Sequence, residues 1–165
     1  MPIRQWLHAE WFDILPKSEG LNRTPLNCRY DDQIAIFGQK FQKDILSKKF
    51  FLVGCGALGC EYIKMLALMG LGCSKEGRLF ITDDDQIENS NLNRQFLFRK
   101  EHRKKSKSKT AGMVGVQMNP ELHCEAYTER VCPENEKLFN AKFWSSLDGV
   151  CNALDNVKAR KYVDG

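Results

Sequence analysis

The chain has 165 residues, of which 42% are hydrophobic, and this is enough to build the core of one domain. Its net charge of +4 comes largely from one basic run, residues 99–109, in which no aromatic side chain occurs. Because nucleic-acid-binding surfaces usually combine basic with aromatic side chains, we expect no nucleic-acid partner and interpret most of this run as a solvated loop.

The seven cysteines favour a reducing compartment. Their number is odd and they contain no Cys-x-x-Cys pair, so neither a disulfide framework nor a four-thiolate zinc site is indicated. We therefore expect a reduced protein of the cytoplasm and nucleus. The first residues lack the apolar core of a signal peptide, and the longest apolar run, residues 50–60, is too short to cross a membrane. No membrane association is expected.

Residues 1–27 differ in pattern from the rest of the chain. An aromatic cluster at positions 6–12 is followed by proline and glycine, which is typical of the end of a preceding domain and a linker. We expect a second region over residues 28–165. Its first apolar residues, within 34–46, have the spacing of one helical face that is interrupted at Gly38.

After residue 50 the pattern changes to short apolar strands that alternate with helices. The run Phe50–Val53 is continuously apolar and ends in glycine, as expected of a strand buried on both faces. The predicted elements are, in chain order, strand 50–53, helix 57–69, strand 79–82, helix 108–118 with a hydroxyl cap, strand 122–128, strand 149–154 and a last helix starting near residue 156. This order predicts an α/β fold with a Rossmann-like, doubly wound, mostly parallel sheet that binds ligands at the carboxyl ends of its strands.

The sequence Gly54-Cys55-Gly56-Ala57-Leu58-Gly59 follows the first predicted strand and opens the first predicted helix. In such a turn the first glycine permits the tight bend, the second lets the backbone approach a phosphate, and the third allows close packing of helix on strand. The N–H groups at the helix start favour an anion. This context favours a phosphate-binding turn over a merely structural one.

The second predicted strand ends in three acids, Asp83, Asp84 and Asp85. An acid about 20 residues beyond a glycine turn can accept hydrogen bonds from a ribose hydroxyl, and Asp83 has a position near that spacing. Asp84 is better explained as part of an acidic turn. These residues indicate a nucleotide and leave NAD and ATP open as alternatives.

Three further features favour ATP. Arg94 lies in the compact polar segment 90–96, and Lys107 follows in the basic run. The fourth predicted strand brings Asp155 and Asn156 to the same sheet edge. A carboxylate can hold Mg²⁺, and the two cations can neutralise charge on a leaving pyrophosphate. A dehydrogenase has no leaving group of this kind.

At these residues the chain resembles the superfamily of ubiquitin-activating enzymes and their bacterial relatives MoeB and ThiF. The matching segments are RYDDQIAIFG (29–38), FLVGCGALGCE (51–61), ITDDDQIENSNLNRQFLFR (81–99) and NALDNVKAR (152–160). The extended GLGCSKEG (70–77) resembles the enzymes that activate ubiquitin itself, and QWLHAEWFDILP (5–16) resembles the end of the inactive adenylation half. The resemblance implies a truncated ThiF/MoeB-type adenylation fold, with residues 1–27 as the tail of the inactive half and a linker, and residues 28–165 as the ATP-binding part of the active domain.

The resemblance also assigns roles to individual residues. The cofactor-binding set consists of the glycine turn and the polar residues after the strands: Gly54, Gly56, Ala57, Gly59, Asp83, Asp85, Asn91, Arg94, Gln95, Lys107, Asp155 and Asn156. Asp83 would bind the ribose and Asp155 would bind Mg²⁺. The phosphate contacts would come from Asn91, Arg94, Gln95 and Lys107, and catalysis would depend on Arg94, Lys107 and Asp155. The role of Lys107 depends most on the resemblance, because its neighbouring residues alone indicate a solvated loop.

The chain departs from the family pattern at two points. In the symmetric bacterial relatives a second arginine after the RY motif reaches the partner's ATP, whereas this chain has Asp32 there. We therefore expect this half to receive such an arginine from the inactive half. The family's nucleophilic cysteine lies beyond the DN motif, and none of the seven cysteines matches it. Cys60, close to a helix start, is expected to have a packing role.

The implied function is ATP-dependent activation of ubiquitin by adenylation of its C-terminal carboxylate, ahead of thioester formation on a cysteine outside this chain. The implied partners are ubiquitin, the inactive adenylation half and, through parts outside this chain, ubiquitin-conjugating enzymes. We expect the chain alone to be inactive or nearly so. The alternatives are an activator of another ubiquitin-like modifier, an NAD-binding oxidoreductase, and a non-catalytic half, which the intact motif set disfavours.

Overall fold

A computed structural model describes residues 20–164, apart from the side chain at position 158. The chain divides into two compact units, Met1–Asp44 and Ile45–Gly165. The predicted aromatic cluster and the segment 5–16 lie outside the described residues. The predicted boundary after residue 27 stays a prediction.

Helix α1 (Asp31–Leu46) begins in the first unit. The Asp31 carboxylate accepts hydrogen bonds from the N–H groups of Leu26 (2.9 Å) and Cys28 (3.3 Å), and the first of these does most to lower the pKa of Asp31. Gly38 interrupts the helix with a φ of 84°, a backbone conformation that favours glycine. The predicted interruption of the helical face at Gly38 is confirmed.

The second unit is built on a four-stranded sheet in which every strand pair is parallel. The strands are β1 (Lys49–Val53), β2 (Arg78–Thr82), β3 (Cys124–Tyr127) and β4 (Gly149–Asn152). Their spatial order is β3-β2-β1-β4, which confirms the predicted parallel α/β sheet. Because β1 pairs with both β2 and β4, the turn that follows β1 lies between the ends of those two strands.

β3 and β4 are shorter than the predicted strands 122–128 and 149–154. The Leu122 N–H donates to the Asn119 carbonyl oxygen (3.0 Å), so Leu122 belongs to a turn that precedes β3. The Leu154 N–H donates to the Asn152 side chain (3.2 Å), and this Asx turn directs the chain away from the sheet. Local hydrogen bonds thus end the strands where the apolar pattern continues.

Four α-helices belong to the second unit among the described residues: α2 (Ala57–Met69), α3 (Lys107–Met118), α4 (Ala141–Ser145) and α5 (Val157–Asp164). α2 has the predicted bounds, and α5 confirms the predicted last helix. α3 begins one residue earlier than predicted, because its cap is Ser106, whose Oγ accepts the Lys109 N–H (3.3 Å). Sequence periodicity does not predict α4, since five residues are too few to show a helical period.

Apolar side chains cover both faces of the sheet, as expected of a doubly wound fold. On one face Leu52 and Ile81 are fully buried in a cluster that includes residues of α2 and α3. On the other face the ring of Phe51 packs edge-on against Phe143 of α4, with 5.0 Å between ring centroids, and Tyr162 of α5 joins this cluster. Among residues 20–164, no helix combines the length and the apolar character needed to cross a membrane.

Candidate functional site

An open pocket of about 760 Å³ lies where the four strands end. This volume is within the range of small-molecule binding sites. The predicted site residues that line the pocket are Gly54, Gly56, Ala57, Asp83, Asp85, Asn91, Arg94, Gln95, Lys107, Asp155 and Asn156. The structure therefore brings the predicted residues together at one sheet edge, with the exception of Gly59.

The glycine turn between β1 and α2 leaves backbone N–H groups available at the pocket. Gly54 has a φ of 99°, and a Cβ at this position would lie 2.9 Å from the Ala153 carbonyl oxygen, so only glycine fits. Gly56 is the N-cap of α2 and supplies no side-chain hydrogen bond to the helix start. The first N–H groups of α2 can therefore bind an anion.

Gly59 supports the pocket without lining it. A Cβ at Gly59 would lie 2.2 Å from the Gly54 carbonyl oxygen, which is far inside van der Waals contact. The missing side chain lets α2 pack directly against the turn. Gly59 therefore has the packing role that the pattern predicts for its third glycine, and its place among the cofactor-binding residues stays a prediction.

Asp83 at the end of β2 is fixed by two backbone N–H groups. Its Oδ2 accepts a hydrogen bond from Cys55 of the glycine turn (2.6 Å), and its Oδ1 accepts one from Asp85 (2.9 Å). Burial raises the pKa of Asp83, and the two hydrogen bonds act against that rise. Each carboxylate oxygen keeps acceptor capacity, so Asp83 can bind a ribose hydroxyl while it holds the glycine turn.

Lys107 differs from the rest of the basic run because it is buried. Its side chain is 9% exposed, and its Nζ lies 2.7 Å from Oδ2 of Asp85, whose side chain is 63% exposed. The side chains at positions 103–105 of the same run are exposed. Lys107 is thus the exception in a run whose residues 103–105 are exposed, and its ammonium lies at the pocket as the resemblance implies.

The pocket wall beside the glycine turn is a compact polar loop. Asn91 Oδ1 accepts the Glu88 N–H (2.9 Å), and the Gln95 N–H donates to the Asn91 carbonyl oxygen (2.9 Å). Arg94 is exposed, and its Nη1 donates to the Ser90 carbonyl oxygen (2.6 Å). Gln95 is only 3% exposed, and its Oε1 has no hydrogen-bond partner among the residues that the structure describes. A buried acceptor without a partner is costly, so this oxygen has capacity for a donor from a ligand or from water.

Asp155 and Asn156 line the pocket from the β4 side, across the glycine turn from Asp83. Asp155 is exposed and forms no ion pair among the residues that the structure describes. Its oxygens are therefore free to bind a hard cation such as Mg²⁺, which prefers carboxylate and water ligands. The donor chemistry of Asp155 fits the predicted metal.

A second acidic group, Asp83–Asp85, offers three carboxylate oxygens within 4.8 Å of one another. Each of these carboxylates is already engaged. Asp83 accepts hydrogen bonds from two N–H groups. Asp84 accepts a hydrogen bond from Nη2 of Arg130 (2.7 Å), and Asp85 accepts one from the Lys107 ammonium. This group is therefore less available to a metal than Asp155.

Several lining residues were missed by sequence reasoning. Glu129, Arg130 and Val131 follow β3 and form the wall next to Asp83. The strand-end rule could have found them, because the third predicted strand ends at residue 128. Arg160 of α5 also lines the pocket; it lies within the segment that carried the family resemblance.

The cysteines near the glycine turn are buried thiols. Cys55 and Cys60 are both fully buried, and desolvation raises the pKa of Cys60 to about 11 and that of Cys55 well above its usual range. Both thiols lie in the apolar core, so the predicted packing role of Cys60 is confirmed. All seven cysteines are unpaired.

Curated relatives match almost the whole chain. Ubiquitin-activating enzyme E1 1 of Candida albicans (strain WO-1) is 50% identical over 170 residues, which cover 99% of this chain and 17% of the relative. Ubiquitin-activating enzyme E1 1 of Triticum aestivum is 49% identical over 165 residues, covering 99% of this chain and 16% of the relative. Ubiquitin-like modifier-activating enzyme 1 of Homo sapiens is 46% identical over 169 residues, again covering 99% and 16%. The chain thus spans about a sixth of the length of these relatives.

Solved structures share the fold. TcdA (CsdL) superimposes with a TM-score of 0.72 at 21% identity, over 82% of this chain and 50% of that chain. The E. coli tRNA N6-threonylcarbamoyladenosine dehydratase TcdA, solved in complex with ATP, gives a TM-score of 0.71 at 23% identity, over 82% of this chain and 52% of that chain. At these identities the likeness concerns the fold, and it confirms the predicted Rossmann-like architecture.

The model of the ThiF family matches residues 30–165. This range contains all four strands, the glycine turn and every residue that lines the pocket. The match therefore covers the whole candidate site as well as most of the chain, and it agrees with the fold of the solved structures. This chain belongs to the ThiF family.

Proposed function

We propose that this chain is the ATP-binding part of an adenylation domain that activates the C-terminal carboxylate of ubiquitin. One observation carries the proposal: the glycine turn, Arg94, Lys107 and Asp155 line a single pocket at the ends of four parallel strands. An anion-binding helix start, two cations and a free carboxylate match the charges of a triphosphate and a divalent metal. The high identity to ubiquitin-activating enzymes supports ubiquitin as the substrate.

The strand order supports one orientation of ATP. In this proposal the phosphates bind at the glycine turn after β1, where the first N–H groups of α2 and the Lys107 ammonium would supply positive charge. Asp83, at the end of the neighbouring strand β2, would accept hydrogen bonds from the ribose. Arg94 is exposed at the rim, from which its guanidinium can reach the outer phosphates.

The reaction needs positioning and charge stabilisation rather than proton transfer. An oxygen of the ubiquitin carboxylate attacks the α-phosphorus, a carboxyl–phosphate bond forms, and the bond from that phosphorus to the bridging oxygen breaks. Pyrophosphate leaves with the electron pair, and ubiquitin adenylate remains. A C-terminal carboxylate is ionised at neutral pH, so no general base is required. Lys107 and Arg94 neutralise the charge that develops on the leaving group.

Mg²⁺ is part of this proposal, with Asp155 as its protein ligand. When bound, the ion would shield the phosphate oxygens and polarise the phosphorus that is attacked. The free carboxylate of Asp155 supports this assignment, and the engaged carboxylates of Asp83–Asp85 disfavour a site there. Asn156, beside Asp155 on the pocket lining, completes the polar surface on this side.

The further partners follow from the proposed place of this chain in a longer enzyme. Asp32 stands where an arginine would reach a partner's ATP, which supports an inactive half that donates its own arginine to this pocket. A thioester-forming cysteine and ubiquitin-conjugating enzymes would act after adenylation. The seven unpaired cysteines support a reducing location in the cytoplasm and nucleus. We expect the 165 residues alone to be inactive or nearly so, and robust ATP–pyrophosphate exchange by them would contradict this.

The decisive experiment is ubiquitin-dependent ATP–pyrophosphate exchange by the full-length protein. We expect exchange that requires both ubiquitin and Mg²⁺. Asp155→Asn should reduce the exchange rate far more than Glu121→Gln does. Glu121→Gln is the matched control, because it changes an exposed acid outside the pocket lining. Exchange that does not respond to ubiquitin would contradict the proposal.

Two changes of reagent in this assay distinguish the alternative functions. Replacing ubiquitin by another ubiquitin-like modifier tests which one is activated, because only the cognate carboxylate supports exchange. Replacing ATP by NAD tests the oxidoreductase alternative, which requires NAD binding without a response to Mg²⁺. Tight NAD binding in place of ATP binding would overturn the proposed function.

A further inference from the structure

The wall of the pocket next to Asp83 is formed by the segment that follows β3. Its residues Glu129, Arg130 and Val131 line the pocket. Along the sheet edge, the glycine turn belongs to β1, Asp83 to β2 and this segment to β3, the outermost strand on that side. A nucleotide with its phosphates at the glycine turn and its ribose at Asp83 therefore directs its base toward the β3 segment.

Contacts from two sides hold this segment in place. Thr82 Oγ1, on the last residue of β2, donates to the Glu129 carbonyl oxygen (2.5 Å). Arg130 donates through Nε (3.1 Å) and Nη2 (2.7 Å) to Oδ2 of Asp84. Behind the segment, Asn135 Nδ2 donates to the Arg130 carbonyl oxygen (2.8 Å). The side chain of Arg130 thus ties the segment to the end of β2.

The strand ladder gives no support to this segment. The last residue pair in the β2–β3 register is Thr82 with Tyr127, so the chain beyond Tyr127 has left the sheet. The side chains of Asp84 and Arg130 are 41% and 68% exposed, and an ion pair of this kind adds little to global stability. Its effect is therefore on the position of the segment and not on the fold.

The pair also controls charge at the pocket. The Asp84 oxygen lies within 4.8 Å of oxygens of Asp83 and Asp85, on the side of the pocket where the ribose would bind. Arg130 neutralises Asp84, so that the acid does not repel the phosphates of a nucleotide. This neutralisation and the tie between the strands are distinct contributions, and they can be separated by experiment.

We infer that the ion pair between Asp84 and Arg130 is a positioning device, which holds residues 128–131 against the base end of the bound nucleotide. The inference rests on the proposed function, because it takes ATP as the ligand. Neither residue touches the reacting phosphorus, so the pair affects affinity for ATP and leaves the chemical step unchanged. The part of the nucleotide beyond the ribose depends on the position that the pair gives to this segment.

The test uses two double variants of the full-length protein that keep its net charge. Asp84→Asn with Arg130→Gln removes the ion pair, whereas Asp84→Arg with Arg130→Asp inverts it. ATP and inorganic tripolyphosphate, which has no base or ribose, are titrated by calorimetry. We expect the neutral variant to bind ATP about fivefold more weakly, the inverted variant to bind it within about twofold of the parent, and tripolyphosphate binding to be unchanged in both.

Two further measurements distinguish positioning from a general structural effect. In ATP–pyrophosphate exchange the neutral variant should raise the KM for ATP and keep the parent kcat and the parent KM for ubiquitin. In hydrogen exchange its backbone amides at positions 128–135 should exchange faster than those of the parent before any nucleotide is added. The matched control, Lys48→Gln with Asp148→Asn, removes an ion pair of 2.7 Å outside the pocket lining and should alter none of these values.

The possible failures have different meanings. If the parent protein binds ATP and the neutral variant binds it equally well, the inference is overturned and the proposed function stands. A loss of tripolyphosphate binding equal to the loss of ATP binding also overturns the inference, because the effect would then lie at the phosphate end. If the parent protein does not bind ATP at all, both the proposed function and the inference fall.

Discussion

The sheet has an amino edge, where its parallel strands begin, and a carboxyl edge, where they end, and the polar groups at these two edges are partnered differently. At the amino edge the polar groups satisfy one another: Asp148 accepts hydrogen bonds from the Lys48 ammonium (2.7 Å) and from the Lys49 N–H (2.8 Å). At the carboxyl edge several polar groups have capacity left over. Gly56 gives α2 no side-chain cap, and within residues 20–164 Gln95 Oε1 finds no hydrogen-bond partner. The polar groups are thus satisfied at the amino edge, whereas the carboxyl edge keeps groups that can bind a ligand.

This difference teaches which polar residues serve the fold and which serve the site. A polar group whose hydrogen-bonding capacity is fully used within the chain contributes to stability and leaves little to bind a ligand. A group with capacity left over can bind a ligand, even where another residue of the chain holds it in place, as Cys55 and Asp85 hold Asp83. Substitutions at the two edges should therefore change different quantities.

The largest effect is expected for Lys107→Ala at the carboxyl edge. Loss of the buried ammonium should lower the rate of ATP–pyrophosphate exchange by about 10²–10³-fold, since a preorganised charge is removed from the developing pyrophosphate. Lys109→Ala, two residues along the same helix but exposed, is the matched control and should change the rate by less than about twofold. Equal losses in the two variants would show that the buried position has no special role.

The glycine turn provides the second test. Gly59→Ala places a Cβ 2.2 Å from a backbone oxygen, so it should lower the free energy of unfolding by about 3 kcal/mol in urea titrations. Gly56→Ala meets only the Gln95 side chain at 3.9 Å, and should change that free energy by less than about 1 kcal/mol. Because the new methyl group projects toward the pocket wall, Gly56→Ala should instead weaken ATP binding. The comparison fails if the two variants are equally stable.

Asp83 should make ATP affinity sensitive to acid. Burial raises its pKa, so as pH falls its carboxylate is protonated earlier than an ordinary aspartate and loses acceptor capacity for the ribose. Affinity should fall by up to about tenfold per pH unit below that pKa. Because the folded state binds this proton more tightly than the unfolded state, the protonation adds to stability in acid and does not reduce it.

The measurement is an ATP titration from neutral pH into mild acid, with thermal unfolding recorded in parallel. Asp83→Asn serves as the control, since it removes the titration of Asp83 and retains that of ATP and of the other acids at the pocket. If the parent and the variant show the same dependence of ATP affinity on pH, Asp83 does not bind the nucleotide.

The smallest effect is expected at the amino edge. Asp148→Asn should lower the free energy of unfolding at neutral pH by about 1 kcal/mol or less, because the ion pair with Lys48 is half exposed. The hydrogen bond from Lys48, and next the one from Lys49, lower the pKa of Asp148. Its contribution is therefore present above the pKa of an unfolded aspartate and is lost as pH falls through the lower folded value. Urea titrations at neutral and acid pH check this, and exchange activity should be unaltered.

The strands and the strand-end residues could be predicted from the chain alone. Apolar runs such as Phe50–Val53 define buried strands, and parallel strands bring their carboxyl ends to one edge. Asp83 follows directly from this rule because it comes just after β2, whereas Asp155 lies beyond the turn that ends β4 and still reaches the same edge. The glycine turn was predictable as well, since local backbone geometry requires glycine at Gly54 and Gly59.

Only the tertiary structure decided which charged side chains are partnered. Lys107 is one of many cations in a row, and it alone is drawn into the pocket because the Ser106 cap starts α3 beside Asp85. Arg130 meets Asp84 across 46 residues of sequence, a distance over which no local pattern carries information. Backbone conformation and apolar periodicity are properties of neighbouring residues. Burial and charge pairing depend on how distant segments meet, so they appear only when the chain has folded.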